Sequence, residues 1–269
     1  MAHDVDFDLV EHDEVDSTQT VARALADAGA PHGTAVLARR QTGARGRRGR
    51  AWNSTHVGIW LSVVLRPRMA LPRAPRLPIA ACGVVVDVLR ERSIEVAIKW
   101  PNDVLVPART PSPVLGPFRK AGGLLVEVVD ARDARLDCAV LGLGLNLRPP
   151  PDGFGDLDGH AGALVDVGFG AGLDDDALDQ ARRTLAGALV AALRAQLTAT
   201  CVEDGTFGAC LATLRARSAT LGRRIVVDGV AGVAVDLDDD GALLIEGGDG
   251  QRHLVSAGDV SLLPDSPDA

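Results

Sequence analysis

The segment Gln41-Thr-Gly-Ala-Arg-Gly-Arg-Arg-Gly-Arg-Ala-Trp52 contains four arginines and three glycines, and two more arginines, Arg39 and Arg40, precede it. The whole chain of 269 residues has a net charge of -8, so this positive charge is a local feature. Closely spaced like charges repel one another, and a protein that keeps them usually holds an anion among them. Arginine matches the paired oxygens of a carboxylate or phosphate, and glycine lets a backbone approach a ligand closely. This arginine loop (residues 41–52) therefore predicts an anion site, although alone it fits a solvated basic loop or a nucleic-acid patch equally well.

Lysine is rare in this chain, because only Lys99 and Lys120 occur among 28 basic residues. Because arginine is so common in this chain, a lysine that remains indicates a place where a compact ammonium group is needed rather than the planar guanidinium group of arginine. Lys99 opens Lys-Trp-Pro-Asn-Asp103, and Lys120 opens Lys-Ala-Gly-Gly-Leu-Leu-Val-Glu127. We predict functional roles for both and regard two ordinary surface lysines as the weaker interpretation.

Length and composition allow a large core. With 46% hydrophobic residues, the chain can form one large domain with a small appendage. The N-terminal residues are acidic and no stretch resembles a secretory signal or a membrane span, so we expect a cytoplasmic protein. The six histidines form no HxH or HxxxH pair, which argues against a metal site built by the protein. The cysteines show no CxxC spacing and are predicted to be reduced, buried packing residues: Cys82, Cys138, Cys201 and Cys210.

Hydrophobic periodicity predicts that the larger domain contains both strands and helices. The predicted strands of the larger domain are 5–15, 33–40, 59–65, 96–100, 121–129 and 138–147. The predicted helices run from the Ser17-Thr18 cap to about residue 28, over 79–92, from the acidic run 174–176 to about 197, and over 206–216. Residues 107–117 hold four prolines and are predicted to form an irregular surface insertion.

A change of pattern near residue 218 predicts a second domain. Short strands at 224–227, 230–237, 242–246 and 253–255 alternate with Gly and Asp turns, as in a small β-barrel. The larger domain is therefore predicted to cover 1–217 and the barrel 218–269.

Three common motifs do not fit. Gly142-Leu-Gly-Leu-Asn-Leu147 lacks the third glycine and the following helix of a dinucleotide-binding fingerprint. The arginine loop lacks the Gly-Lys-Ser/Thr of a P-loop. No GxSxG elbow surrounds Ser17 or Thr18, so these hydroxyls are better explained as a helix cap that also contacts a small ligand.

In order and spacing, five segments resemble those of biotin–protein ligases. They are Asp16-Ser-Thr-Gln19, the arginine loop, Lys-Trp-Pro-Asn-Asp103, the Lys120 segment and Gly-Leu-Gly-Leu-Asn146. The resemblance covers roughly residues 8 to 260 and implies an α+β fold. Its biotin- and ATP-binding catalytic domain would have a mixed sheet flanked by helices, and a small SH3-like barrel would follow. The resemblance implies a two-step reaction as well. Biotin and Mg-ATP give biotinyl-5′-AMP and pyrophosphate, and a lysine of a carrier protein then attacks the mixed anhydride.

The resemblance also implies roles for individual residues. Biotin binding is assigned to Ser17, Thr18, Gln19, Gln41, Arg45, Gly46, Arg47, Lys120, Gly122 and Gly123. Binding of ATP and the adenylate is assigned to Arg48, Arg50, Trp52, Lys99, Asn102 and Asn146. The implied catalytic residues are Lys120, Arg47 and Lys99, with Lys120 placed at the reacting carboxylate. No protein metal site is implied, because Mg²⁺ is held mainly through ATP. Without a ligand the arginines are expected to repel one another and leave the loop mobile.

The chain departs from the family pattern at two positions of the implied biotin pocket. Ala44 stands where a glycine is usual, and Gln19 stands where asparagine is commoner.

Too few residues precede Ser17 for a winged helix, so we expect a ligase without a repressor function that binds neither nucleic acid nor membrane. The implied partner is the biotin carboxyl carrier domain of an acyl-CoA or pyruvate carboxylase, and the expected assembly is a monomer or weak homodimer. The alternatives are a lipoate–protein ligase-like adenylating enzyme and a nucleic-acid-binding protein that uses the arginine loop.

Overall fold

An eight-stranded mixed sheet forms the larger part of the computed structural model, which describes residues 9–198 and 206–263. Its strands are β1 (Val10–Val15), β2 (Ala35–Gln41), β3 (Gly58–Leu65), β4 (Met69–Ala70), β5 (Ala97–Lys99), β6 (Asp103–Ser112), β7 (Gly116–Arg132) and β8 (Arg135–Asn146). The order across the sheet is β1-β2-β3-β8-β7-β6-β5, with β4 paired to β8. Strands β1 and β2 are parallel and the other pairs are antiparallel, which confirms the predicted mixed sheet.

In the described ranges, four α-helices pack with the sheets: α1 (Thr18–Asp27), α2 (Arg76–Arg90), α3 (Asp175–Gln196) and α4 (Thr206–Ala216). Ser17 caps α1 by accepting a hydrogen bond from the Gln19 N–H at 3.2 Å, and Asp174 caps α3 in the same way through Ala177. Buried residues lie around most of α2, which makes it the central core helix. The cap at Ser17 also fixes this residue and its neighbours beside the end of β2.

A second, five-stranded antiparallel sheet follows α4. It contains β9 (Arg224–Val227), β10 (Val230–Leu237), β11 (Leu243–Glu246), β12 (Arg252–Val255) and β13 (Val260–Leu262), in the order β12-β11-β10-β9-β13. The small C-terminal β-unit is thus confirmed, with one more strand than the periodicity predicted. Within the described part of the chain the edge strands β12 and β13 do not pair with each other, so an SH3-like closure stays a prediction.

The predicted irregular insertion at 107–117 is wrong. The segment continues β6 and opens β7, with Pro107 opposite Phe118 and Ser112 opposite Gly116. Proline has no N–H to donate to a neighbouring strand. The pairing register shifts between Pro107 and Ser112, so the prolines in this stretch do not need to donate such a hydrogen bond. At the tip, the Ser112 hydroxyl accepts hydrogen bonds from the next backbone N–H groups, which replaces the missing ladder bonds. The prolines therefore bend the hairpin without abolishing it.

The two sheets share one hydrophobic core. Apolar residues from the first sheet, α2, α4 and the second sheet form a single buried cluster, and Trp100 donates from its indole nitrogen to the Gly241 carbonyl at 2.9 Å. The boundary at 217/218 therefore stays a prediction. Cys82 and Cys138 are buried free thiols and Cys210 is buried, whereas Cys201 lies outside the described residues. None of the helices in the described ranges has the length and apolar character needed to span a bilayer.

An arginine cluster on α3 makes a testable contribution to acid stability. Asp179 accepts hydrogen bonds from Arg39, Arg182 and Arg183 at 2.7, 2.9 and 3.0 Å. Partial burial favours a higher pKa for this carboxyl, but the arginines outweigh burial and hold the pKa below its usual range. The pairing thus stabilises the fold above the unfolded-state pKa of about 3.9, and this stabilisation is lost as the pH falls through the lower folded-state pKa.

We expect the Asp179→Asn variant to melt at a lower temperature than the wild type at pH 6. Acidification to pH 2.5 should then lower its melting temperature less than that of the wild type, because the titrating group is gone. Thermal unfolding followed by circular dichroism measures both effects. Asp13→Asn is the matched control, since the Asp13 side chain is 98% exposed and lies 3.6 Å from Arg39. An equal acid-induced drop in Asp179→Asn and wild type would contradict the assignment.

Candidate active site

A cavity of about 470 Å³ lies between the start of α1, the arginine loop, strands β3, β7 and β8, and the residues before β13. It brings together most of the residues that the sequence predicts for the site. They are Ser17, Thr18, Gln19, Gln41, Arg45, Gly46, Arg47, Arg50, Trp52, Lys99, Asn102, Lys120 and Gly123. Residues more than 100 positions apart in the chain therefore face one space.

One end of the cavity carries a network of neutral polar groups. The Thr18 N–H donates to Gln41 Oε1 at 2.8 Å, and the Thr18 hydroxyl lies 2.8 Å from the Ser62 hydroxyl. Ser62 in turn donates to Gln19 Oε1 at 3.1 Å, and Gln19 Nε2 donates to the Val140 carbonyl at 3.1 Å. No charged group takes part, so this end can recognise a neutral polar head by hydrogen bonds.

Glycines form the floor of the cavity. On β8, a Cβ at Gly142 would lie 2.6 Å from Gln19 Oε1, and one at Gly144 would lie 2.9 Å from Trp52 Nε1. Both distances are shorter than real Cβ contacts, so only glycine leaves this space open. The absence of side chains here lets Gln19 and the Trp52 ring approach the sheet closely.

The arginine loop has a defined path over the cavity. Gly46 N–H donates to the Arg50 carbonyl at 2.7 Å, and Trp52 N–H donates to the Ala44 carbonyl at 3.0 Å. Arg47 spans two elements, because Nη1 donates to Asn102 Oδ1 at 2.8 Å and Nη2 donates to the Gly258 carbonyl at 3.0 Å. The loop is thereby tied both to the β5–β6 turn and to the second sheet.

Carboxylates of the second sheet face the loop arginines. Arg48 donates to Asp228 at 2.8 Å, Arg50 donates to Asp259, and Arg47 Nη1 lies 3.8 Å from the same Asp259 carboxylate. The expected repulsion among unliganded arginines is therefore wrong for these three, since the chain supplies its own anions. Mobility of the ligand-free loop stays a prediction.

This pairing predicts that Asp259 protects the loop from proteolysis. We expect Asp259→Asn to increase the rate of tryptic cleavage within residues 45–50 by about three- to fivefold, because an exposed ion pair is worth up to ~1 kcal/mol. Asp240→Asn is the control, as it removes another pair between the same sheet and the main domain, with Arg76 at 2.7 Å, outside the cavity. Equal cleavage rates in Asp259→Asn and wild type would show that the pair does not hold the loop.

Two lysines and one carboxylate form the cationic end of the cavity. Asp103 Oδ1 lies 2.6 Å from Lys120 Nζ, and Asp103 Oδ2 lies 3.5 Å from Lys99 Nζ. Burial lowers the pKa of Lys99 below its usual range; Asp103 opposes this effect and the charge of Lys120 adds to it. Lys120 Nζ also lies 5.2 Å from the centre of the Trp52 ring. Shared between two ammonium groups, Asp103 leaves a net positive charge for an anionic ligand.

Comparison with known proteins identifies the family to which this fold belongs. Residues 12–146 match the biotin/lipoate A/B protein ligase family, and residues 220–263 match the biotin protein ligase C terminal domain. The chain belongs to the biotin protein ligase family. Both matched segments contribute to the cavity, the first through the loop and the lysines and the second through Asp259 and its neighbours.

Individual relatives agree with this family assignment. Biotin–[acetyl-CoA-carboxylase] ligase of Mycobacterium tuberculosis is 32% identical over 266 residues, covering 94% of this chain and 88% of that protein. Bifunctional ligase/repressor BirA of Bacillus subtilis is 37% identical over 150 residues, covering 55% of this chain but only 43% of that relative. The solved structure of biotin protein ligase from Aquifex aeolicus in complex with biotin and ATP superposes with a TM-score of 0.71 at 26% identity, covering 96% and 99% of the two chains.

Three residues that the resemblance to biotin protein ligases implies for the site do not line the cavity. Arg48 turns outward to Asp228. A Cβ at Gly122 would meet the Leu145 side chain at 2.4 Å, so this glycine serves strand packing. Asn146 is buried and donates to the Gly162 carbonyl at 2.9 Å, while its Oδ1 lies 3.2 Å from a His56 ring nitrogen. The roles of these three residues in ligand binding stay predictions, because none of the three faces the cavity.

Sequence reasoning missed three residues of this biotin protein ligase cavity. Ser62 is a lone hydroxyl in an otherwise apolar strand, a signal that was available in the sequence. Asp103 closes the Lys99 motif, and its charge close to a lysine in the sequence is the signal that points to it. Asp259 could not be found, because it lies more than 200 residues from Arg47 and only the packing of the second sheet brings them together.

Proposed function

We propose that this chain is a biotin–protein ligase that activates biotin with Mg-ATP and transfers it to a lysine of a carrier protein. The observation that carries the proposal is the polarity of one cavity, which has a neutral hydrogen-bonding end and a cationic end. Biotin has the matching polarity, with an uncharged cyclic urea at one end and a carboxylate at the other. The names of the relatives, which include a ligase bound to biotin and ATP, support the same assignment.

The first step brings together two anions that repel each other, a carboxylate and a triphosphate. Cationic donors remove this barrier by stabilising charge that develops between them. Lys120, Lys99 and Arg47 are proposed for this task, since they converge on the cationic end. The biotin carboxylate oxygen attacks the α-phosphorus, pyrophosphate leaves, and biotinyl-5′-AMP remains. The carrier lysine then attacks the carbonyl carbon and AMP leaves.

The remaining contacts are proposed by position in the cavity. Ser17, Thr18, Gln19 and Gln41 surround the urea, while Arg45, Gly46 and Gly123 border the acyl chain and carboxylate. Arg50, Trp52 and Asn102 hold the nucleotide, and Arg48 and Asn146 require a rearrangement to reach it. Mg²⁺ is proposed to enter with ATP as part of the substrate.

The carrier, assembly and location are also proposals. A biotin carboxyl carrier domain of an acyl-CoA or pyruvate carboxylase is the proposed partner, in line with the named substrate of the Mycobacterium tuberculosis relative. A monomer or weak homodimer without nucleic-acid or membrane binding is proposed. The pairing of Arg48 and Arg50 with carboxylates supports the proposal that the protein does not bind nucleic acid, because it reduces the positive charge available to a polyanion. The buried free thiols of Cys82 and Cys138 support a cytoplasmic location.

A lipoate–protein ligase is the second candidate, because the matched family includes both activities. The polar network at Thr18 and Gln41 argues against it, since the dithiolane ring of lipoate has no hydrogen-bonding group to satisfy these side chains.

Pyrophosphate release separates these candidates. We expect the purified protein with Mg-ATP to release pyrophosphate only when biotin is added. One turnover should need no carrier, because pyrophosphate leaves in the first step, before the acyl group is transferred. A coupled phosphate assay with biotin, lipoate or no acid measures this. Release with lipoate and none with biotin would overturn the proposal.

A further inference from the structure

Ser62 occupies an unusual position at the neutral end of the cavity. It is the only hydroxyl residue of β3, whose eight residues are all buried, and its own exposed fraction is 0%. Its hydroxyl lies 2.8 Å from the Thr18 hydroxyl and 3.1 Å from Gln19 Oε1. A buried hydroxyl in an apolar strand is costly unless its hydrogen bonds are made, so its partners indicate what it does.

The direction of each hydrogen bond can be worked out from the donors available. Gln41 Oε1 already accepts the Thr18 N–H at 2.8 Å, and the Gln19 amide nitrogen already donates to the Val140 carbonyl. The Thr18 hydroxyl has two acceptors within reach, the Ser62 oxygen at 2.8 Å and Gln41 Oε1 at 3.1 Å. Gln19 Oε1 has Ser62 as its donor, and each hydroxyl has one proton to give. The short contact between the two hydroxyl oxygens then needs the Thr18 proton, so Thr18 donates to Ser62 rather than to the more distant Gln41 Oε1. The opposite arrangement leaves Gln19 Oε1 without a donor.

This arrangement sets what the cavity offers to a ligand. Since the Thr18 proton points to Ser62, the lone pairs of Thr18 Oγ1 remain as acceptors. Since Gln41 Oε1 is occupied, the Gln41 amide nitrogen remains as a donor. An acceptor beside a donor is the complement of an N–H beside a carbonyl, which is the pattern of a cyclic urea.

We propose that Ser62 is a positioning residue that fixes Thr18 as a hydrogen-bond acceptor and thereby selects a urea-type head group. Ser62 acts through Thr18 and Gln19 and does not touch the ligand. The inference rests on the proposed function, because it concerns the head of the same substrate.

The Ser62→Ala variant tests it by steady-state kinetics of pyrophosphate release. The KM for biotin should rise about tenfold, the worth of one hydrogen bond, with kcat and the KM for Mg-ATP changed less than about twofold. Dethiobiotin, which keeps the cyclic urea and lacks the sulfur ring, should show the same fold change. Ser54→Ala is the matched control, since Ser54 is equally buried but its hydroxyl bonds the Gln41 backbone carbonyl at 3.3 Å.

A double variant separates positioning from general packing. If Ser62 acts through Thr18, Ser62→Ala combined with Thr18→Val should be no worse than Thr18→Val alone, whereas independent effects would multiply. An unchanged KM for biotin in Ser62→Ala, a loss confined to kcat, or multiplying effects would overturn the inference and leave the ligase assignment intact. A wild-type protein inactive with biotin would instead overturn the ligase assignment, and this inference with it.

Discussion

The Lys120→Ala variant should form the adenylate about 10²- to 10³-fold more slowly than the wild type, with the dissociation constant for biotin changed by less than about threefold. Lys120 contacts Asp103 at the cationic end of the cavity, where charge develops as carboxylate and phosphate react. A donor that acts mainly in the transition state lowers kcat when removed and leaves ground-state binding nearly unchanged. Single-turnover pyrophosphate release and biotin calorimetry measure the two quantities separately.

Two further variants make the Lys120 prediction specific. Lys120→Arg should recover less than about a tenth of the lost rate, because a planar fork cannot place one donor at the ammonium position. Arg132→Ala removes an exposed positive charge further along β7 and should leave the rate unchanged. The fold should survive in Lys120→Ala, since Asp103 keeps Lys99 as a partner at 3.5 Å. Turnover near that of the wild type in Lys120→Ala would show that the role is wrongly assigned.

Arg47→Ala should raise the KM for Mg-ATP at least about tenfold and lower kcat about 10²-fold. Its guanidinium joins Asn102 to the Gly258 carbonyl, so its loss removes a charge and unties the loop from both elements. Steady-state kinetics with ATP varied at saturating biotin measure both constants. Arg47→Lys should remain impaired, because one ammonium group cannot reproduce the fork that bridges both acceptors.

Arg40→Ala is the control for the Arg47 prediction. It removes an exposed arginine that immediately precedes the loop and lies 3.6 Å from Glu14. Its kinetics should match the wild type. Impairment of the same size in both variants would mean that total loop charge, rather than the Arg47 contacts, supports the reaction.

Local sequence signals were sufficient for much of the fold and of the site. A continuous apolar run with β-branched residues located β3, a period-3.6 pattern located α3, and the Ser17 cap began α1 as expected. The loop and the two lysine motifs could be recognised because each is a short continuous segment. The proline content of 107–117 led to the wrong prediction of an irregular insertion. The number of prolines does not show that a shift in strand register allows residues without an N–H donor to stay in the strand.

What the sequence could not supply depends on contacts between distant segments. Asp259 reaches the loop only because α2 and α4 pack the second sheet against the first in one core. The burial of Asn146 depends on His56, on a different loop, and on the Gly162 carbonyl. No pattern within one segment encodes such pairs, so the outward turn of Arg48 and the occlusion of Asn146 could not be foreseen.

The glycine floor has a consequence for the engineering of new substrates. Every replacement of Gly142 or Gly144 adds at least a Cβ, so variation at these positions can only shrink the cavity. Space for a bulkier acid must come from the side chains that line the cavity above these glycines, where Gln19 and Trp52 are large enough to be shortened. A library designed to widen the substrate range should therefore leave β8 unchanged and randomise these two side chains.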